Sequence, residues 1–538
     1  MRRPTRRSSR HRNSLILLPS EVIRRILSNL DWRALLRLKL VCKFLCSVVD
    51  ESPSVQYTIE LAVCGMEDGA RTRLSAASKL ALLKERNAAW EALQWAESQD
   101  LTLPQSDNMA WELCAGVYAQ FSVPGASTMC LYRLPSQYRN IPASSWRIPL
   151  LSDTKDFTMD PSQDLLVLVE KPILIPAHNK TKSYIRIQIH PRSLTTGHRH
   201  SSAVEVIDHH LYMRSSSDKL EMDLSIQACE KLLGILIIVK DNISELMVWN
   251  WRTGLVILVS QVKVESIGTF AFLTPQLLLV GTVMHETGVT EPRLFVLDIS
   301  KPSINKVALT DYVCVFEFPS FDFVVSPMKI VIRSDPSPEW KHNPEAHVPF
   351  SIARGQRLFL ITTWVEEKKK NVSYDLFVPA NILLSSVMAL TPQTRRRVIN
   401  WNEWGPTGTR FLKSPPHSHV WTGYVFGSRF ISLVTSPKAT AGRHSQTLQI
   451  WDFNQLALKR AAALGFEKEN VRLVNDTTVV EDEMFVERVR TSLPYSITTR
   501  TLPPPRSPGE PTFTDTMISE DSIFLLKVSL LTSFCVFH

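Results

Sequence analysis

The 538-residue chain lacks any apolar run long enough to cross a bilayer. Its longest, at 232–239, is far short of the 18 or more residues a spanning helix needs. The string Leu15-Ile16-Leu17-Leu18 follows a basic start, but four residues make too short a core for a secretory signal. Paired cysteine spacing is missing too. Eight cysteines are scattered at 42, 46, 64, 114, 130, 229, 314 and 535, with no C-x-x-C among them. That is the usage of free, mostly buried thiols in a reducing compartment. Cys42 and Cys46 stand at i, i+4, but no two further ligands follow at metal-site spacing, so core thiols are expected. No phosphate-binding loop, dinucleotide fingerprint, H-E-x-x-H or G-x-S-x-G occurs, so the expectation is a non-catalytic chain without cofactor or metal. His190, His198, His200, His209 and His210 crowd one segment, but no carboxylate or cysteine spacing supports a metal there, and a polar loop is expected.

Charge is unevenly placed. Residues 1–14 hold six arginines and no acid, so of the net +9 only about +3 belongs to the rest. A near-neutral body argues against nucleic acid as the main ligand, because such binding is built on phosphate neutralisation. The tail 1–14 reads as a disordered basic arm, either a nuclear-import signal or a solvated tail with no address. A mitochondrial presequence is a rival, but the helical pattern beginning at Leu18 leaves it little room.

That pattern is the most informative part of the chain. Pro19, Ser20 and Glu21 suit a helix start, where an imino nitrogen costs nothing and the dipole favours acid. Val22, Ile23, Ile26, Leu27 and Leu30 then make a wide apolar face. Asp31 is a break and cap. Leu35, Leu36, Leu38 and Leu40 follow on a second short helix, and Val41, Leu45, Val48 and Val49 mark a third. Three helices in so short a segment cannot bury all this surface among themselves.

L-P-x-E, an Ile-Leu pair, a double Leu and a closing V-C-K, from Leu18 to Leu45, resemble the F-box, which docks substrate receptors onto cullin-RING ubiquitin ligases. Trp32, Arg33 and Leu45 depart from the family's usual residues. The resemblance implies a docking set of Leu18, Pro19, Val22, Ile23, Ile26, Leu27, Leu30, Leu35, Leu36, Val41 and Cys42, several of them covered by the partner. It also implies the partners: an adaptor subunit and, through it, cullin and RING subunits, with an unknown protein as substrate. No membrane is expected, and the location implied is cytoplasmic, nuclear or both.

Further on, a helical stretch from Leu74 to Ser98 puts Ala76, Leu80, Leu83, Asn87 and Trp90 on one face, and its tryptophans read as packing anchors. From about 101 the period becomes two. Residues 184–190 alternate strictly, and short strand-like runs recur at 165–169, 232–239, 246–251, 255–259, 277–280, 294–298, 312–318, 323–332, 358–363, 374–378, 429–434 and 447–451. Trp249-Asn250, Leu297-Asp298 and Trp451-Asp452 resemble the strand ends of WD repeats. The first two are one blade spacing apart, and Asp298 to Asp452 reads as three more. Pro- and charge-rich stretches, 334–350 and 391–397 among them, read as inter-blade loops, and 522–538 as a strand that closes the ring.

The expected fold is multidomain, α plus all-β: a three-helix F-box and linker helix followed by a degenerate WD-like β-propeller of seven or eight blades, in the fungal-type pairing. The boundaries expected are a tail at 1–14, the F-box at 15–58, a helical linker at 59–100 and the propeller-like substrate-binding region at 101–538. The function implied is substrate recognition in an SCF-type ubiquitin ligase. A propeller scaffold that uses its F-box-like helices outside any ligase is the alternative, and front helices that merely cap the propeller are a third possibility. Lys368–Lys370 and Arg395–Arg397 read as solvated loop charge, with acidic or phosphorylated partner segments as the rival use.

Overall fold

The computed structural model describes residues 18–537 except 70–71, 96–97, 104–109, 123–127, 151–152, 177–182, 214–220, 240–242, 263–265, 287–288, 303–307, 323–324, 343–345, 368–369, 415–423, 437–444, 466–468, 505–511 and 528–531. The basic tail and part of the lysine run therefore lie outside the described residues. Helix α1 (Ser20–Leu27) starts after Pro19, with Glu21 in its first turn and Arg24 and Arg25 in its last, as the helix dipole prefers. Asp31 caps α2 (Trp32–Lys39), accepting from the Ala34 amide at 2.8 Å. Helix α3 spans Lys43–Glu51, so Val41 lies in the turn before it rather than on it. A further helix, α4 (Pro53–Cys64), crosses the boundary expected at 58; Pro53 opens it and Gly65, at φ +67°, closes it. Ile23, Leu27, Leu35, Leu45, Val48, Val49 and Val55 form the shared core.

Helix α5 (Ala76–Ala92) begins at Ser75, whose hydroxyl accepts from the Ser78 amide. It stops short of the expected Ser98. Leu93 turns left-handed at φ 46°, and the Gln94 amide reaches back to the Ala89 carbonyl, which ends the helix. Trp90 and Trp95 do act as anchors. Arg429 stacks 4.5 Å from the Trp90 ring centre, and Arg500 sits 3.4 Å from that of Trp95.

Among the described residues, seven sheets have four or five strands and are arranged as the blades of a β-propeller. Blades 1 to 6 start with the strands Trp111–Cys114, Thr154–Asp160, Met222–Cys229, Ser266–Thr274, Ser326–Arg333 and Val425–Phe426. Blade 7 combines Phe513–Ile518, Ile523–Lys527 and Thr532–Phe537 with Ser98–Leu103. The chain's first ring strand thus pairs with its last, and it begins within the segment expected to be linker. Blade packs on blade throughout. For example, Leu236 and Val248 of blade 3 meet Phe270 and Val280 of blade 4, and Tyr118 of blade 1 meets Phe524 of blade 7.

The WD-like ends fall at one place in the repeat. Asn250, Asp298 and Asp452 each terminate the third strand of blades 3, 4 and 6. The spacing argument needs correcting, however. Only two blades, not three, separate Asp298 from Asp452, because blade 5 carries helices α6 (Ala380–Met388) and α7 (Trp401–Gly408) between its third and fourth strands. Helix α8 (Gln455–Ala463) is inserted in blade 6.

The stretch 334–350 is not an inter-blade loop. It joins the first and second strands of blade 5 and ends in the strand Phe350–Ile352, which pairs antiparallel with Met66–Asp68 beyond α4. This strap ties the helices to the propeller. The Tyr57 hydroxyl donates to the Pro349 carbonyl at 2.9 Å. The chains approach so closely at Gly69 that a Cβ there would lie 1.8 Å from the Val348 carbonyl oxygen. Helix α4 also meets α8, where Asn454 donates to the Val63 carbonyl and Arg460 pairs with Glu60 at 2.7 Å.

Candidate functional site

The helical face at the front of the chain divides the expected docking set by exposure. Leu18, Pro19, Val22, Ile26, Leu36 and Val41 are exposed. Leu30 and Cys42 are half-buried. Ile23, Leu27 and Leu35 are fully buried in the helices' own core, so they shape the face without forming it. The chain's helical geometry explains the split. Val22 and Ile26 sit one turn apart on one side of α1, while Ile23 and Leu27 follow one residue behind on the side facing α3.

Leu40, 87% exposed, and Phe44 extend the apolar surface and are absent from the expected set. Leu40 could have been found, because it stands one turn after Leu36 and just past the end of α2. Phe44 carries no such signal, since which side of α3 faces outward depends on packing. Among the described residues, seven of the nineteen exposed large apolar side chains fall between Leu18 and Phe44. Single exposed leucines are ordinary, but such a concentration makes this the candidate interaction surface. Exposed Arg25, Arg33, Arg37 and Lys43 border it.

What holds this face to the propeller is a buried ionic joint. Asp521, in the first turn of blade 7, accepts from Arg86 Nε of α5 at 2.6 Å, from Ser136 Oγ at 2.6 Å and from Arg139 Nη2 at 3.2 Å. Its neighbour Glu520 pairs with Arg139, with His342 of the strap at 2.7 Å and with the Ile352 amide at 3.0 Å. Although burial opposes ionisation, the facing arginines hold the Asp521 carboxyl well below its usual range, and Arg139 with His342 lowers that of Glu520. A polar cleft of about 450 Å³ opens beside the joint, lined by Arg139, Trp340, His342 and Glu520. No sequence signal points to these partners, which lie hundreds of residues apart.

The other candidates are accounted for within the chain. Arg395, Arg396 and Arg397 pair with Asp298, Asp311 and Glu403 respectively, which leaves no free basic cluster there. His190 pairs with Glu170 at 2.9 Å, His209 lies 3.5 Å from Glu245, and His200 bonds the Gln163 carbonyl. Among the described residues, no three His, Cys, Asp or Glu side chains are grouped to hold a metal.

Comparison with known proteins gives one family match. The F-box-like family model matches residues 15–55, the segment that carries the exposed face. No curated protein matches the chain. Among solved structures, the WD40 domain of SCAP from fission yeast is similar at 8% identity over 88% of this chain and 98% of that one, with a TM-score of 0.30. An apocarotenoid oxygenase from Synechocystis is similar at 8% identity over 58% of this chain and 65% of that one, with a TM-score of 0.24. Hsv2 from Kluyveromyces lactis is similar at 11% identity over 50% and 94%, with a TM-score of 0.20. At these scores the solved structures carry no functional argument.

Proposed function

We propose, from an F-box-like segment joined to a β-propeller, that this chain is the substrate-recognition subunit of an SCF-type cullin-RING ubiquitin ligase. The pairing is a protein-interaction architecture typical of non-catalytic receptors. The observation that carries the finer reading is the exposed apolar face of Leu18, Val22, Ile26, Leu36, Leu40, Val41 and Phe44 on a helical module whose own core is already filled. A folded module gains nothing by exposing this surface, and its basic border fits a partner groove that is apolar with an acidic rim.

The mechanism is tethering. The adaptor binds the helical face, and the cullin and RING subunits bring the charged conjugating enzyme. The propeller holds a target near that enzyme and so raises the effective concentration of the target's lysines. The helices occupy the propeller face formed by the turn at Glu520–Asp521 and the strap, so the target is expected on the opposite face, in the cytoplasm, the nucleus or both. The test is capture of adaptor and cullin by the full chain and by Ile26→Asp. Both are expected with the wild type and neither with the variant. Adaptor without cullin would favour a scaffold outside the ligase, and equal capture by the variant would overturn the groove model.

A further inference from the structure

Blades 4, 5 and 6 have their outer edges covered by the chain itself. The strand Arg397–Ile399 lies parallel on the fourth strand of blade 4, and Val471–Val474 pairs antiparallel with the fourth strand of blade 6. The fourth strand of blade 5, Arg410–Lys413, meets the hairpin 478–491. There the Phe411 amide donates to Thr491 Oγ1 at 3.0 Å, and Arg410 Nη1 donates to Thr478 Oγ1 at 2.6 Å. Blade 2 differs. Among the described residues, its fourth strand, Ile207–Met213, pairs only with the third, Ser183–Ser193. Its outer row of backbone N–H and C=O groups is therefore open to a further strand.

That edge borders an apolar surface. The third strand of blade 2 outruns the second, Leu165–Glu170, and is paired beyond it by Ile173–Pro176. In register, Ile175 stands beside Tyr184 and Tyr184 beside Tyr212, while Ile173, Arg186 and His210 make the next row. Alternate residues of a strand share a face, so these six side chains lie on one side of the sheet. Tyr212 is 68% exposed and Ile173 54%. The Tyr184 ring stands 6.3 Å from that of Tyr212 and 5.1 Å from that of His210. The charges around this surface are already paired. Arg186 Nε donates to Asp208 Oδ1 at 3.0 Å and Nη2 to Oδ2 at 2.7 Å, and Lys171 lies 3.6 Å from Asp153. A partner's charge would lose water here without meeting an unpaired counter-charge, whereas an uncharged apolar side chain would bear no such cost.

The surface stands on the side away from the helices. The blade 2 turn at Pro161 and Ser162 and the blade 7 turn at 519–522 line one cleft, so both belong to the face that carries the helical module. The second strand of blade 2 leaves its turn at Leu165, and Ile173–Pro176 follows the far end of that strand. We propose that the outer edge of blade 2 takes an extended, uncharged segment of the target as a fifth strand, with apolar or aromatic side chains at alternate positions beside Tyr212 and His210. Main-chain bonds to Ile207–Met213 hold the segment, and the row Ile175, Tyr184 and Tyr212 selects it. The receptor reading enters only in naming the segment as the target's.

The test selects a phage-displayed library of random peptides on the full chain, then reads the affinity of the recovered peptides, once synthesised, by fluorescence anisotropy. Recovered sequences are expected to carry uncharged apolar residues at alternate positions. Tyr212→Lys and Ile173→Lys should each weaken binding about tenfold, whereas Val434→Lys, at an exposed valine of blade 6, should leave it unchanged. All three side chains are exposed, so the melting curves should not move. N-methylation of alternate peptide residues should weaken binding about tenfold in one phase of the alternation and leave it unchanged in the other, because only one edge of an added strand faces blade 2. The proposal is overturned if no recovered peptide distinguishes wild type from Tyr212→Lys, if both methylation phases act alike, or if the alternate positions are charged. Adaptor capture by Tyr212→Lys should equal that of the wild type, so failure here and failure of the ligase reading are separate results.

Discussion

Replacing Asp521 by Ala would remove the carboxylate that joins α5, the Ser136–Arg139 turn and blade 7. Its three donors would lose it together: Arg86 Nε, Arg139 Nη2 and Ser136 Oγ. Both arginines are almost wholly buried, at 1% and 2% side-chain exposure. Removing one partner from a buried ion pair costs about 3–5 kcal/mol, because the surviving charge is left without compensation. Here the lower end applies. Arg139 keeps Glu520, and Arg86 still donates to the Glu520 carbonyl at 2.6 Å. About 3 kcal/mol corresponds to roughly a hundredfold larger population with the helical module detached. Exchange of the α5 amides at constant pH reads this population directly, with the blade 3 strands as an internal reference. Adding Arg86→Met should restore a large part of the loss, because it removes the orphaned charge rather than a contact. A rise below tenfold in Asp521→Ala, or no recovery in the double variant, would refute the view that this ionic joint holds the module.

The same joint is acid-labile. The Asp521 and Glu520 carboxyls are lowered in the folded state, so their contribution is present above the unfolded value and is lost as pH falls below about 4, and α5 should lose protection there. Leu40→Asp should leave the melting curve unchanged, since that side chain is already in water, yet abolish adaptor capture. Ile23→Ala should do the reverse in part, costing about 2–5 kcal/mol of helical-module stability through a core cavity and weakening capture only through unfolding. Gly69→Ala should open the pairing of Met66–Asp68 with Phe350–Ile352, because the added carbon meets backbone, and faster proteolysis of the strap would show it.

Much of the architecture was legible because it rests on local pattern. The apolar spacing of 22–30, the cap at Asp31, the short alternating strands and the Trp-Asp-like ends follow from neighbours a few residues apart. Helix and strand periods are properties of such neighbours. That same locality is why Val22 and Ile23 could not be told apart. Adjacent positions on a wide apolar face become exposed or buried only when α3 packs against α1. The spacing argument between Asp298 and Asp452 failed for a related reason. An insertion that carries α6 and α7 changes the spacing between strand ends without changing the repeat. The joint was beyond reach altogether. Arg86 and Asp521 are 435 residues apart, and each alone is an ordinary surface-type charge. Only ring closure brings the first and last strands together, and with them the two carboxylates that hold the helices in place.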